Sequence, residues 1–133
     1  MGLRRARIAA ALWGGFLFLV TSWPNPPAVA AGGFPLDKLT HFLLYGVEAF
    51  LLHRAIEWKG RPGFTWSRVL AIAGTMTLWG ALDEAHQNWI PGRRTDSADL
   101  AADIAGGTVG ALLGGDSFSR RSRSDRRGGP ATS

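Results

Sequence analysis

Cysteine is absent from this chain of 133 residues, which excludes disulfides, thiolate metal sites and cysteine nucleophiles together. Histidine is scarce, with 3 residues, and neither His41 nor His86 falls in HExxH or a comparable metal-binding spacing. Long hydrophobic runs are missing too. An apolar content of 46% and a mean hydropathy of +0.03 suit an ordinary soluble protein of one domain. That average conceals a segregation, because polarity collects at the chain ends and in two internal clusters.

The basic excess, 15 Lys and Arg against 10 Asp and Glu, would suggest nucleic acid in a soluble protein. Five of those arginines lie in a Ser/Arg/Gly-rich tail, residues 116–133, whose composition is that of a disordered segment. No nucleic-acid partner is expected. Beside a membrane, a basic tail is a topology signal and a contact for anionic lipid.

Four apolar stretches remain: Ile8–Trp23, closed by Pro24-Asn25-Pro26-Pro27; Leu39–Ile56; Trp66–Leu82, extendable to Trp89; and about Ala98–Gly115. Each covers roughly 24 to 27 Å at about 1.5 Å per residue, slightly under the ~30 Å hydrocarbon core. The expectation is an all-α fold, an integral membrane bundle of four short transmembrane helices. Residues 1–23 form the first span, 24–115 a membrane domain of three helices, and 116–133 the disordered tail. With both termini cytoplasmic, Lys38, Arg93 and Arg94 alone of the 15 basic residues lie outside, as the positive-inside rule requires. A cleaved signal peptide ending at Ala28-Val29-Ala30 is the competing reading of the first stretch and leaves the orientation unchanged.

This topology brings the polar residues to one outer face. Asp37 and His41 start the second helix, Asp83, Glu84 and Gln87 end the third, and Asp96 to Asp99 start the fourth, with Asp103 one turn deeper than Asp99. Some have ordinary structural explanations: Asp96 and Ser97 are good N-caps, and Asp37 and Asp99 suit the positive end of a helix dipole. Asp83 and Glu84 oppose the dipole at a helix C-terminus and need compensation. Arg93, after the Pro91-Gly92 turn, is the expected partner. Glu48 falls near mid-membrane, where either it faces Tyr45 and the bundle interior or the span is displaced; His53 marks the cytoplasmic boundary, and Gly106, Gly110 and Gly114 form a ridge that admits a close helix or an oligomeric partner.

These residues resemble the VanZ-like family of small bacterial membrane proteins. The pattern comprises Asp37, Lys38, His41 and Tyr45; Asp83, Glu84 and Gln87; Pro91, Gly92 and Arg93; and Asp99, Asp103, Gly106 and Gly110. It spans about Pro24 to Gly115. One departure is Asp103, where asparagine is more usual. The resemblance implies a multi-pass protein of the bacterial inner membrane. The family takes its name from a protein linked to low-level teicoplanin resistance, and most members have no established activity.

The expected function is binding of a cell-envelope component, a lipid-linked precursor or glycolipid, among membrane lipids. Asp37, His41, Tyr45, Asp83, Glu84, Gln87, Arg93, Asp99 and Asp103 would line one polar depression, with Arg93 meeting a phosphate or carboxylate. The alternative is a hydrolase or transferase acting on a phosphorylated lipid, with Asp83, Glu84, Asp99 and Asp103 around a divalent cation and His41 as acid or base. The spacing identifies no cofactor, metal or catalytic residue. A transporter or channel would need four such short spans to oligomerise.

Overall fold

The computed structural model describes residues 1–24, 36–56 and 65–127, with the backbone alone for 116–127. Its four helices are α1 (Leu3–Thr21), α2 (Leu36–Ala55), α3 (Trp66–Gln87) and α4 (Ser97–Arg127), and no strand occurs among the described residues. The all-α expectation holds. The Ala28-Val29-Ala30 segment, Trp58, Lys59 and Arg61 lie outside the described residues.

The helices start and stop where local chemistry dictates. Ser22 and Trp23 close α1 through bonds to the Phe18 and Val20 carbonyls. Asp96 caps α4, its Oδ1 accepting from the Ala98 amide at 2.8 Å. Between α3 and α4 the chain reverses at Pro91-Gly92: Arg93 N–H reaches Ile90 O at 3.1 Å, and Gly92 takes φ 79°, open to a residue without Cβ. The tail differs from expectation, because α4 runs on as backbone helix to Arg127. Nothing from Asp116 to Arg127 breaks a helix, and extending one already nucleated is far cheaper than starting it; the Gly128-Gly129-Pro130 breakers follow.

The helices alternate up and down. Arg7 Nε donates to Ala55 O at 3.2 Å where α1 begins and α2 ends. At the opposite end Thr21 joins the end of α1 to Asp83 near the end of α3, and Lys38 joins the start of α2 to Asp99 at the start of α4. The tightest pair is α2 with α4; α1 flanks α2 and α3 flanks α4.

Glycine makes that pair possible. A Cβ on Gly106 would run into the Phe42 carbonyl, one on Gly110 into the Gly46 carbonyl, and one on Gly114 would stand 2.7 Å from His53 Cβ. The ridge expected to offer itself to a partner is thus occupied by α2 of the same chain. An oligomer through Gly106, Gly110 and Gly114 would first have to displace that helix.

The interior is small and mixed. Leu17, Leu44, Tyr45, Ala49, Val69, Ile72, Met76 and Ala111 form one apolar cluster, yet His41, Glu48, His53, Arg68, Asp83, Glu84, Gln87 and Asp103 are buried as well. The outside carries Leu12, Leu19, Leu70, Leu78, Leu82 and Leu113, each more than half exposed. Among the described residues no helix is long and apolar enough to cross a membrane. Length is not the shortfall, since α1 to α3 measure about 28 to 33 Å at about 1.5 Å per residue; apolarity is.

Candidate functional site

Asp83, near the end of α3, opposes its own helix dipole but receives three donors. Thr21 Oγ1 donates to Oδ1 at 2.9 Å, while Tyr45 Oη and Gln87 Nε2 donate to Oδ2 at 3.3 Å. Glu84, next along, turns toward α4, where its Oε2 accepts from the Asp96 amide at 2.8 Å. Both acids therefore rest on neutral donors.

Arg93 goes elsewhere. Its Nε donates to Trp23 O at 3.2 Å and its Nη2 to Val20 O at 3.1 Å, so it closes the C-terminal end of α1. That overturns the expected pairing with Asp83 or Glu84. The physical reason is that α1 ends in carbonyls without helical partners, which attract a cation as strongly as a carboxylate already satisfied by hydroxyls and amides.

Lys38 takes the central cationic role. Its Nζ contacts Asp96 Oδ2 at 2.5 Å, Asp99 Oδ1 at 2.7 Å and Asp37 Oδ2 at 2.9 Å. Burial alone would lower the ammonium, but these three acids hold it well above its ordinary value. The Lys38 ammonium in turn holds Asp37 and Asp96 below the usual carboxylate value.

Deeper in, His41 Nδ1 lies 2.9 Å from Asp103 Oδ1, and His41 Nε2 stands 4.0 Å from Asp99 Oδ2. The His41 ring stacks on Tyr45 with centroids 6.4 Å apart. Asp99 and Asp103, one turn apart on α4, thus face the same imidazole, as their spacing implies.

The structure brings together eight of the nine expected site residues: Asp37, His41, Tyr45, Asp83, Glu84, Gln87, Asp99 and Asp103. They form an enclosed network instead of an open depression. Apart from Asp37, each is less than 9% exposed, with Gln87 at 1% and Asp103 at 0%. The metal arrangement built on Asp83 changes as well, since that carboxylate is engaged by Thr21, Tyr45 and Gln87.

Sequence reasoning missed two participants. Lys38 had a signal, being one of three basic residues expected outside and the neighbour of Asp37. Thr21 had none: a threonine ending an apolar run ordinarily bonds back to its own helix, and it also lies within 3.1 Å of Leu17 O. Beside the cluster, Phe18, Thr75, Leu78, Trp79, Leu82, Asp83 and His86 line a groove of about 340 Å³, apolar except at its Asp83 and His86 end.

Comparison of this chain with protein-family models, with curated proteins and with solved structures finds no match.

Proposed function

We propose that this is a multi-pass membrane protein of VanZ-like type, with both termini cytoplasmic, that binds a cell-envelope glycolipid or lipid-linked sugar at its outer polar end. The observation that carries this reading is the inverted distribution of polarity. A protein folded in water buries its leucines and solvates its acids; here large apolar side chains face outward while Glu48, Asp83, Glu84 and Asp103 are buried. In hydrocarbon that arrangement is the stable one. Within the proposed spans Ile8–Trp23, Leu39–Ile56, Trp66–Leu82 and Ala98–Gly115, the charged residues Glu48, Arg68, Asp99 and Asp103 are turned inward.

The ligand class follows from what the cluster has left to offer. Arg93 and Lys38 are already engaged, which disfavours a bare phosphate, and the acid-rich outer end favours the hydroxyls of a sugar. The groove ending at Asp83 and His86 suits an apolar tail beside such a headgroup. The family resemblance adds altered teicoplanin susceptibility as a cellular consequence.

Two measurements test this. The tagged chain should resist alkaline extraction from membranes, and protein purified in mild detergent should retain glycolipid by native mass spectrometry. His41→Ala and Glu84→Ala should each abolish retention while membrane abundance persists. Recovery of the chain as a soluble monomer would overturn the membrane reading. Undiminished retention in both variants would overturn the site.

A further inference from the structure

Glu84 and Asp103 each leave one carboxylate oxygen, Oε1 and Oδ2, buried without a hydrogen-bond partner. The residues are 7% and 0% exposed. An unmet carboxylate oxygen in the interior is among the costlier faults a fold can carry, and two at one place point to something that binds them. Gly80 and Glu84 lie one turn apart on α3, and Asp103 Oδ2 faces that strip, since a Cβ on Gly80 would stand 3.0 Å from it. His41 closes the third side, and ligand atoms of His41, Glu84 and Asp103 lie within 4.8 Å of one another.

We propose that His41, Glu84 and Asp103 form a binding site for a divalent transition-metal cation of the Zn²⁺ or Mn²⁺ class. One imidazole and two carboxylates, with no thiolate in the chain, suit a borderline to hard ion. Asp103 Oδ1 and His41 Nδ1, 2.9 Å apart, already stand close to the separation of two donors on one ion. Asp99, 4.0 Å from His41 Nε2, lies by the other ring nitrogen and is held by Lys38.

Donors about 2.1 Å from an ion sit about 3.4 Å apart in a tetrahedron, so loading requires the triad to contract by at most roughly 1.4 Å. A second acidic group, Asp37, Asp96 and Asp99, is equally close-knit. Lys38 Nζ already sits among its three carboxylates, so that group holds its cation. Among the described residues no lysine or arginine fills the same role between Glu84 and Asp103.

This inference deepens the binding reading and rests on it for the ion's purpose, which is to offer an attachment point to a headgroup oxygen. Its test needs no headgroup. Full-length protein in mild detergent, stripped with EDTA, is titrated with Zn²⁺ and separately with Mn²⁺ by calorimetry and thermal melting. One equivalent per chain and a rise in Tm are expected from at least one of them. Glu84→Gln and Asp103→Asn preserve side-chain size and should each weaken binding by about tenfold or more. The Co²⁺ form should show a visible spectrum that both variants alter.

Arg94→Gln, an exposed change outside the cluster, should leave affinity unchanged. Should the carboxylate variants fail to fold by circular dichroism, Gly80→Ala serves instead, because its methyl group presses on Asp103 Oδ2. Absence of stoichiometric binding would overturn the proposal. So would full affinity in the variants of the triad, or its loss in Arg94→Gln. A soluble chain that binds the ion defeats only the membrane reading, and a membrane-bound glycolipid binder without metal defeats only this one.

Discussion

Arg93 donates from Nη2 to the Val20 carbonyl at 3.1 Å, tying the turn before α4 to the end of α1. A guanidinium there satisfies carbonyls that the helix leaves over and lies at the negative end of the α1 dipole. Arg93→Ala should therefore destabilise the fold by about 1.5–3 kcal/mol, as for hydrogen bonds to a charged group. Chemical denaturation measures this. Glycolipid retention per folded molecule should survive, which separates Arg93 from His41 and Glu84.

Glycine substitutions should divide by environment. Gly110→Ala gains helix propensity of roughly 1 kcal/mol but drives a methyl into the Gly46 carbonyl, so a net loss of about 2 kcal/mol or more is expected from overpacking. Gly74→Ala, with nothing within 4 Å of the added atom, should stabilise α3 by roughly 0.5–1 kcal/mol. Opposite shifts in Tm are the expected outcome, and equal shifts would show that α2 and α4 do not cross so closely.

Removing donors from Asp83 should be felt directly. Thr21→Val keeps the shape and deletes the hydroxyl that donates at 2.9 Å to Oδ1, so a loss of about 1–3 kcal/mol follows from leaving a buried carboxylate oxygen short. Tyr45→Phe, acting on a longer contact of 3.3 Å, should lose about 1 kcal/mol. A double-mutant cycle should show coupling between the two, since both act through one carboxylate.

The Lys38 cluster sets a pH dependence. Asp37 and Asp96 are held below their ordinary value of 3.8, so their contribution is present above that pH and is lost as pH falls through their lower folded-state values. Lys38 is held above its ordinary 10.5, so its contribution is complete below that pH and is lost as pH rises through its folded-state value. The stability difference between the wild type and Lys38→Gln should therefore be flat between those limits and shrink beyond either. Denaturant titrations at stepped pH check both arms, and a difference that already shrinks near neutrality would count against the three-acid bridge.

Much of this architecture is local and hence legible along the chain. Apolar stretches bounded by Pro24 and Pro91-Gly92 set four helices in alternating directions, and the polar residues at the end of α1 and α3 and the start of α2 and α4 had to meet at one end. The breakers and spacings that decide this act within a few residues. Which groups pair at that end was not legible. Arg93 and Lys38 are both cations beside the same acids, and only the rotation and separation of the packed helices sends one to the α1 carbonyls and the other among Asp37, Asp96 and Asp99. The same packing set the glycine ridge of α4 against Gly46 and left Glu84 Oε1 and Asp103 Oδ2 without partners. Those outcomes depend on side chains from separate helices arriving within a few ångströms of each other, a relation that no periodicity in a single helix encodes.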